Sequence, residues 1–199
     1  MIKHAELTKL YTIRGLSSST IAIHLKCSPN TVNYWLRKYH IPKRTISEAV
    51  YLKHNPAGDP FKFKVPANLE EMKLFGLGLG LYWGEGNKAN KNTVRLGNVD
   101  PELLKTFINF LTTFFGIRAK DLRFHLQIFS DIDPKKAVTY WRKHLHFNNS
   151  QLYKPTITIS GSLGSYRQKS QYGVMTVYYS NVKLRNLIIS LLLKERTVA

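Results

Sequence analysis

Glu85 is the one acidic side chain in a glycine-rich apolar stretch, residues 74–88, which reads LFGLGLGLYWGEGNK. A helix over this stretch would end at this lone carboxylate. The leucines before it have helical spacing, but four glycines interrupt the pattern, at Gly76, Gly78, Gly80 and Gly84. Each glycine inside a helix costs about 1 kcal/mol relative to alanine, so this helix needs a compensating gain.

Three of these glycines, Gly76, Gly80 and Gly84, are spaced by four residues and therefore lie along one stripe of a helix. A stripe without side chains lets another helix approach until the two backbones nearly touch. Because nothing else in the chain has a matching shape, a second copy related by two-fold symmetry is the simplest partner. The stripe predicts a homodimer whose interface is formed by Gly76, Leu77, Gly80, Leu81 and Gly84.

The charge of the chain favours a polyanionic partner, because 30 Lys+Arg stand against 12 Asp+Glu in 199 residues, a formal net charge of +18. Cys27 is the only cysteine, which excludes an intrachain disulfide and a Cys-based zinc cluster. The N-terminal residues lack the apolar segment of a signal peptide, and the longest apolar runs are shorter than the ~20 residues of a membrane span. We therefore expect an intracellular, cytoplasmic protein of prokaryote-like, nucleoid-associated type, with double-stranded DNA as partner and no membrane contact.

Residues 1–44 predict three short helices in a compact unit. Ser28 and Pro29 are typical of the start of the third helix, Ala22 fits a close helix crossing, and Val32 and Trp35 fit its apolar side. The segment LSSSTIAIHLKCSPNTVNYWLRKYHI resembles the Hin or resolvase-type helix-turn-helix family. It departs from that family at Lys26, where such motifs usually have glycine.

The resemblance implies that helix 28–39 enters the DNA major groove. Asparagine can pair with adenine and arginine with guanine, so the outward side chains have the chemistry of base reading. The implied contacts to bases are Asn30, Thr31, Asn33, Tyr34 and Arg37, and those near phosphates are Lys38, Lys43 and Arg44. The alternative is a helical protein-interaction domain with a solvated basic face.

Residues 45–70 predict a linker with one short helix near residues 47–53, and residues 71–199 predict a second domain that mixes helices and strands. Asp100-Pro101 and Asp133-Pro134 are typical of helix starts, and Gly116 of a helix end. Alternating segments predict strands at TVRLG, LRFHLQIF, YKPTITIS and GVMTVYYS, before a C-terminal helix.

The segment LGLYWGEG resembles the signature of the LAGLIDADG homing endonuclease family, and the resemblance covers about residues 71–195. The match aligns the family's glycine, leucine, small residue, acid and glycine with Gly80, Leu81, Gly84, Glu85 and Gly86. The fold class that follows is α+β: a three-helix helix-turn-helix unit plus a LAGLIDADG-like α/β domain with a mixed, mostly antiparallel, saddle-shaped sheet. In this family the motif helices pack side by side at a two-fold interface.

The resemblance also implies that Glu85 binds a divalent metal at the scissile phosphates, with the carbonyl of Gly84 as a further ligand. Two such carboxylates would repel unless cations lie between them, which suits metal-assisted phosphodiester hydrolysis with Mg²⁺ as the sole cofactor. Basic catalytic candidates beside predicted strands are Lys154 and Lys169. Four side chains that alternate on strands could present one sheet face to DNA, namely Arg95, Arg123, His125 and Gln127, whereas Tyr178 and Tyr179 are expected in the core.

Two functions follow from these patterns. The first is a homodimeric, metal-dependent, site-specific DNA endonuclease, and the second is a sequence-specific transcriptional regulator that uses the same fold without cutting. An RNA-binding maturase-like role fits the charge but not the helix-turn-helix. The match of GEGNKA to a dinucleotide fingerprint is discounted, because a helical rather than a strand pattern precedes it.

Overall fold

The structure is a computed structural model, and it describes residues 1–159 and 171–196. The chain divides into two compact units, Met1–Pro60 and Phe61–Ala199. The division falls inside the predicted linker, residues 45–70. Lys169, one of the two basic catalytic candidates, lies outside the described residues.

Every regular element of the first unit is a helix. Helix α1, His4–Thr8, continues into a π-helical turn, Lys9–Ile13, and helices α2, Ser18–His24, and α3, Pro29–Lys38, follow. Their apolar sides form one small core, made of Ile2, Leu7, Leu10, Tyr11, Ile21, Ala22, Val32 and Leu36. Trp35, an expected anchor of α3, packs against this core but is only half-buried.

The turn between α2 and α3 is fixed by backbone hydrogen bonds at the end of α2. Cys27 N–H donates to Ala22 O at 2.9 Å and Lys26 N–H donates to Ile23 O at 3.3 Å, the pair of bonds that closes a Schellman motif. Lys26 adopts φ +52°, a left-handed conformation that favours glycine. Lys26 stands where the helix-turn-helix motifs that the segment resembles usually have glycine. Its backbone conformation is one that suits glycine.

A fourth helix, α4, Ile46–His54, follows in the first unit and overlaps the short helix predicted near residues 47–53. Thr45 and Glu48 form a reciprocal capping box at its start, which satisfies two backbone donors that would otherwise lack partners. Tyr51 is buried, and its hydroxyl donates to Asp59 at 3.1 Å. These contacts hold residues 45–59 of the predicted linker together, and this segment belongs to the first unit.

The second unit alternates helices and strands. Its helices are α5, Leu69–Glu85, α6, Pro101–Phe115, α7, Pro134–Leu145, and α8, Val182–Arg196. Its strands are β1, Val94–Asn98, β2, Arg123–Phe129, β3, Thr156–Thr158, and β4, Val174–Tyr179. As predicted, Asp100 and Asp133 cap α6 and α7, each with proline next, and Gly116 ends α6 at φ +63°.

The four described strands form one sheet in the order β1-β4-β2-β3. Strand β4 is antiparallel to both β1 and β2, whereas β3 is parallel to β2. The predicted α+β class and a mixed, mostly antiparallel sheet are therefore confirmed. The parallel pair needs a crossover connection, and α7 provides it.

One face of this sheet packs against the helices. Val94, Leu96, Phe124, Leu126 and Val177 point into the same core as the apolar side of α6. Helix α5 lies against α6 through aromatic stacking, with Tyr82 parallel to Phe107 at 5.9 Å between ring centroids. Among the described residues, no helix has the length and apolar character needed to cross a membrane.

Candidate functional site

The two sides of α5 are both apolar, but only one is covered. Phe75, Gly78, Leu79 and Tyr82 face α6 and the core, and a Cβ on Gly78 would overlap Phe110. The other side combines three glycines with four exposed apolar side chains, and we call it the bare face of α5: Leu69, Met72, Gly76, Leu77, Gly80, Trp83 and Gly84.

The bare face carries no cover from the described part of the second unit. A Cβ built on Gly76, Gly80 or Gly84 would meet no atom within 4 Å. Leu77 and Trp83 are each 54% exposed, an unusual state for large apolar side chains on one helix. Leu81, also assigned to the predicted interface, differs from them because it is half-buried and packs against the chain's own core.

Glu85 is the last residue of α5, and its carboxylate is exposed. Within the described residues it takes part in no hydrogen bond or ion pair. Its position is electrostatically unfavourable, because the C-terminal end of a helix carries partial negative charge and favours cations.

Gly86 N–H donates to the Tyr82 carbonyl at 3.0 Å, and the carbonyls after it, including that of Gly84, lack i+4 helical donors. The Lys88 ammonium donates a hydrogen bond to the Trp83 carbonyl, so one positive charge lies at this end of the helix. The end therefore presents the Glu85 carboxylate and carbonyl oxygens whose negative charge is compensated in part.

The described residues do not complete a metal site around Glu85 within one chain. No group of three His, Cys, Asp or Glu side chains with suitable placement occurs in the described ranges. Lys154 is exposed after Tyr153, and none of its contacts among the described residues joins it to Glu85. The donor set fits a hard cation such as Mg²⁺ only if a second carboxylate comes from another copy.

The sheet face opposite the core is polar and cationic. Strand register places Arg95, Tyr178 and Arg123 in one row across β1, β4 and β2, and Thr176 beside His125 in the next row. Gln127 follows on β2 opposite Thr156 of β3, and His125 Nε2 lies 2.9 Å from Thr156 Oγ1. The four predicted contact residues of this face, Arg95, Arg123, His125 and Gln127, thus share one side of the sheet.

Tyr178 was expected in the core with Tyr179, and that expectation is wrong. Tyr179 is buried, whereas Tyr178 is half-buried on the opposite face, since consecutive strand residues point to opposite sides. Its ring lies 6.0 Å from the guanidinium of Arg95 and 6.4 Å from the ring of His125. The period-two pattern of the strand could have identified Tyr178 as part of this face.

Most predicted contact residues of the first unit lie outward on α3 or just beyond it. Asn30, Tyr34, Arg37, Lys38 and Lys43 are exposed, and Thr31 and Asn33 are half-buried. Ser18 donates to Asn33 Oδ1 at 3.1 Å, so this amide oxygen is engaged in joining α2 to α3. Lys38 Nζ lies 4.8 Å from the centroid of the Trp35 ring.

Arg44, predicted near phosphates, binds carbonyl groups of its own unit. Its guanidinium donates to Gly15 O and Leu16 O at 2.6 Å and to Tyr11 O at 3.0 Å. The same group lies 4.0 Å from the centroid of the Tyr11 ring. These contacts give Arg44 a structural role at the turn that follows the π-helical segment.

A second cationic cluster lies beside the last turn of α5 and was not foreseen from the sequence. The Tyr82 hydroxyl is buried, and burial raises its pKa, while the nearby guanidiniums of Arg185 and Arg95 partly oppose that rise. Arg185 also donates to Lys88 O at 2.8 Å. No local motif marks this cluster, because its members come from α5, β1 and α8.

Comparison of the chain with protein-family models, with curated proteins and with solved structures gives no significant match.

Proposed function

We propose that the protein is a homodimer that binds double-stranded DNA through its cationic sheet face and through α3. The observation that carries this proposal is the arrangement of Arg95, Arg123 and His125 on one face of a sheet whose alternate residues pack in the core. A net charge of +18 supports a polyanionic partner. The finer fold, a helix-turn-helix plus a LAGLIDADG-like domain, is part of the same proposal.

The helix-turn-helix assignment is supported by two short helices joined by a tight turn, with Ser28 capping α3 through a 3.1 Å bond from Thr31 N–H. In such motifs the second helix lies in the major groove with its first residues on base edges. Asn30 is exposed in the first turn of α3, and Tyr34 and Arg37 are exposed further along the helix.

The homodimer is supported by the bare face of α5. Its glycines would let two copies of the helix approach closely, and its exposed side chains, Leu77 and Trp83 among them, would bury apolar area in return. A two-fold interface is self-complementary, so one surface supplies both sides. The gain offsets the cost of placing three glycines in one helix.

In a dimer whose two α5 helices run in the same direction, the two copies of Glu85 would lie close together at the helix ends. We propose that both carboxylates, with carbonyl oxygens such as that of Gly84, hold a divalent cation, and that the protein is an endonuclease. When bound, such a cation polarises a phosphoryl oxygen and lowers the pKa of a coordinated water. The chain's own contribution is to place the carboxylates and to bind the DNA backbone around them.

A non-cleaving, sequence-specific regulator is the second candidate. The observation that favours it is that the described residues of one chain contain no group of three His, Cys, Asp or Glu side chains placed to hold a metal ion. A regulator would use the same sheet face and α3, and would not need the carboxylate for binding.

Dimerisation is tested by analytical ultracentrifugation of the full chain over a wide range of concentrations. We expect a dimer for the natural chain and a monomer for Gly80→Leu, because a leucine side chain on the bare face would hold the helices apart. Ser47→Leu, at an exposed position of α4 in the first unit, serves as the control and is expected to remain dimeric. A natural chain that stays monomeric at high concentration would contradict the homodimer.

The two candidate functions are separated by incubating the protein with a plasmid library and Mg²⁺. An endonuclease gives discrete double-strand cuts that Glu85→Gln abolishes while duplex binding persists. Absence of cuts, with equal duplex binding by the natural chain and Glu85→Gln, supports the regulator.

DNA binding itself is tested by fluorescence anisotropy with short duplexes at several salt concentrations. We expect the logarithm of the binding constant to fall steeply with salt, by a slope of roughly 0.9 for each phosphate contacted. Arg123→Gln should weaken binding and reduce that slope by roughly 0.9, the value for one phosphate contact. Lys143→Gln, which removes an exposed charge from α7, is the matched control, and an affinity independent of salt would contradict both functions.

A further inference from the structure

Three buried polar atoms of the second unit lack well-formed hydrogen bonds, and they belong to elements that meet just after α5. Asn87 N–H donates to Arg95 O at 3.0 Å, and Arg185 donates to Lys88 O at 2.8 Å. In the described residues only four buried side-chain nitrogen or oxygen atoms are without a partner: Thr8 Oγ1, Tyr82 Oη, Arg95 Nε and Arg185 Nε. The first belongs to the helical N-terminal unit. The other three come from α5, β1 and α8, and each can donate a hydrogen bond.

The Tyr82 hydroxyl marks the point where these groups meet. Both guanidiniums, of Arg185 and of Arg95, lie near enough to act on the pKa of this hydroxyl, which burial raises. Arg185 also contacts the Tyr82 hydroxyl and lowers its pKa, but this contact lacks the geometry of a well-formed hydrogen bond. Buried polar groups normally have well-formed partners, so these donors require an explanation.

Two of the three members of the cluster are held in place by contacts. The Tyr82 ring is fully buried and parallel to Phe107. Arg185 Nη2 donates to Lys88 O at 2.8 Å and Nη1 to Asn186 Oδ1 at 3.2 Å, which orients the guanidinium and leaves Nε unbonded. The Tyr82 ring and the Arg185 guanidinium are therefore held in place, whereas the Arg95 guanidinium is held by no hydrogen bond of the described residues.

The cluster contains two positive charges and no acid. The four ion pairs of the described residues involve Lys64, Lys73, Lys105 and Arg118, and none involves Arg95 or Arg185. Two guanidiniums at a buried hydroxyl repel each other and lose hydration, and a bound anion would relieve both costs. Planar guanidiniums suit an oxyanion with several acceptor oxygens, to which they donate charge-assisted hydrogen bonds.

We propose that Arg95, Arg185 and Tyr82 form a binding site for a phosphate group. Arg95 and Arg185 are half-buried, and their guanidinium N–H groups are the donors to the phosphate oxygens. The Tyr82 O–H, which is covered by protein atoms, joins them once the guanidiniums turn toward the ligand. The site lies at the last turns of α5, with Tyr82 three residues before Glu85. If the ligand is a backbone phosphate of DNA, which rests on the proposed function, this site would hold the strand beside Glu85.

The first arm of the test uses inorganic phosphate and the full chain, in a buffer without other oxyanions. Thermal unfolding is measured while phosphate replaces chloride at constant ionic strength, and the dissociation constant is measured by titration calorimetry. We expect phosphate to raise the melting temperature, since a ligand of the folded state stabilises it by mass action. Arg185→Gln should weaken phosphate binding at least about tenfold.

Two further variants keep the test decisive if Arg185→Gln does not fold. Tyr82→Phe retains the stacked ring and removes only the hydroxyl, and should weaken phosphate binding several-fold. Lys143→Gln removes one exposed charge elsewhere and should leave it unchanged. A natural chain that responds equally to phosphate and chloride, or variants of the cluster that bind phosphate as the natural chain does, would overturn the site.

The second arm distinguishes the source of the phosphate by repeating duplex titrations with Arg185→Gln. If the salt slope is smaller than that of the natural chain by roughly 0.9, the value for one phosphate contact, the site holds a phosphate of DNA. An unchanged slope, together with lost binding of inorganic phosphate, supports a site for a free phosphate ion. Because the first arm contains no DNA, failure of DNA binding and failure of the phosphate site are observed separately.

Discussion

A Cβ on Gly78 would lie 2.2 Å from Cγ of Phe110, so the absence of a side chain at Gly78 is what lets α5 approach α6. A Cβ on Gly80, two residues later, would meet nothing within 4 Å. The glycines of one helix therefore serve different purposes: Gly78 permits packing inside the chain, whereas Gly76, Gly80 and Gly84 leave the bare face without side chains.

Alanine at these two positions should have effects of opposite sign on the stability of the dilute, monomeric chain. Gly78→Ala is expected to lower the free energy of unfolding by about 2–3 kcal/mol, because the methyl group overlaps Phe110. Gly80→Ala is expected to raise it by up to about 1 kcal/mol, since alanine favours an exposed helix. Urea denaturation monitored by circular dichroism measures both, and a similar loss for the two variants would refute this distinction.

Lys26→Gly should stabilise the first unit. Lys26 has φ +52°, and replacement by glycine removes the steric strain of that conformation, although it adds freedom to the unfolded chain. We expect a net gain of up to about 1 kcal/mol in the free energy of unfolding, measured by urea denaturation. Lys26→Ala, which removes the charge but keeps the strain, is the control and should show no such gain.

Arg44 and its neighbour Lys43 should separate stability from DNA binding. Arg44→Ala leaves three carbonyl oxygens without their donor and should lower the free energy of unfolding by about 2–3 kcal/mol. Arg44→Lys should restore little of this, because one ammonium cannot reproduce the fork of a guanidinium. Lys43→Ala, at an exposed side chain, should leave thermal unfolding unchanged and affect only duplex affinity.

Tyr82→Phe should change the dependence of stability on alkaline pH. The pKa of Tyr82 is raised above its usual value of 10 by burial, so the folded state holds this proton more tightly than the unfolded state. The associated stability is complete below pH 10 and is lost as the pH rises through the raised pKa.

The measurement is urea denaturation of both proteins between pH 7 and pH 11 in phosphate-free buffer. At pH 7 the variant should be as stable as the natural chain or more stable by about 1 kcal/mol, since it lacks an unpartnered buried hydroxyl. Above pH 10 the natural chain should lose stability relative to the variant. Parallel curves for the two proteins would show that the hydroxyl keeps an ordinary pKa.

Local signals predicted much of the fold. The pairs Asp100-Pro101 and Asp133-Pro134 lie at the starts of α6 and α7, and Ser28 caps α3, because capping depends on side chains within three residues of the backbone they bind. Strands β2 and β4 were predicted from the alternation of apolar and polar residues, which is also a local signal.

Features that depend on distant parts of the chain were missed. Arg44 contacts carbonyls 28–33 residues away, and Arg185 reaches Lys88 across 97 residues, so neither role has a local signature. The distinction between Gly78 and Gly80 likewise appears only when α6 is in place. Among the predicted site residues, Arg95, Arg123, His125 and Gln127 were assigned to one face correctly, because alternation alone determines it.

The bare face also allows dimerisation to be followed without an added fluorescent label. Of the three tryptophans, Trp141 is buried, Trp35 is half-buried, and Trp83 lies 54% exposed on the face that the dimer would enclose. Dilution that separates the copies would return the Trp83 indole to water and shift its fluorescence emission to longer wavelength. The chain thus carries an intrinsic optical reporter of its own association.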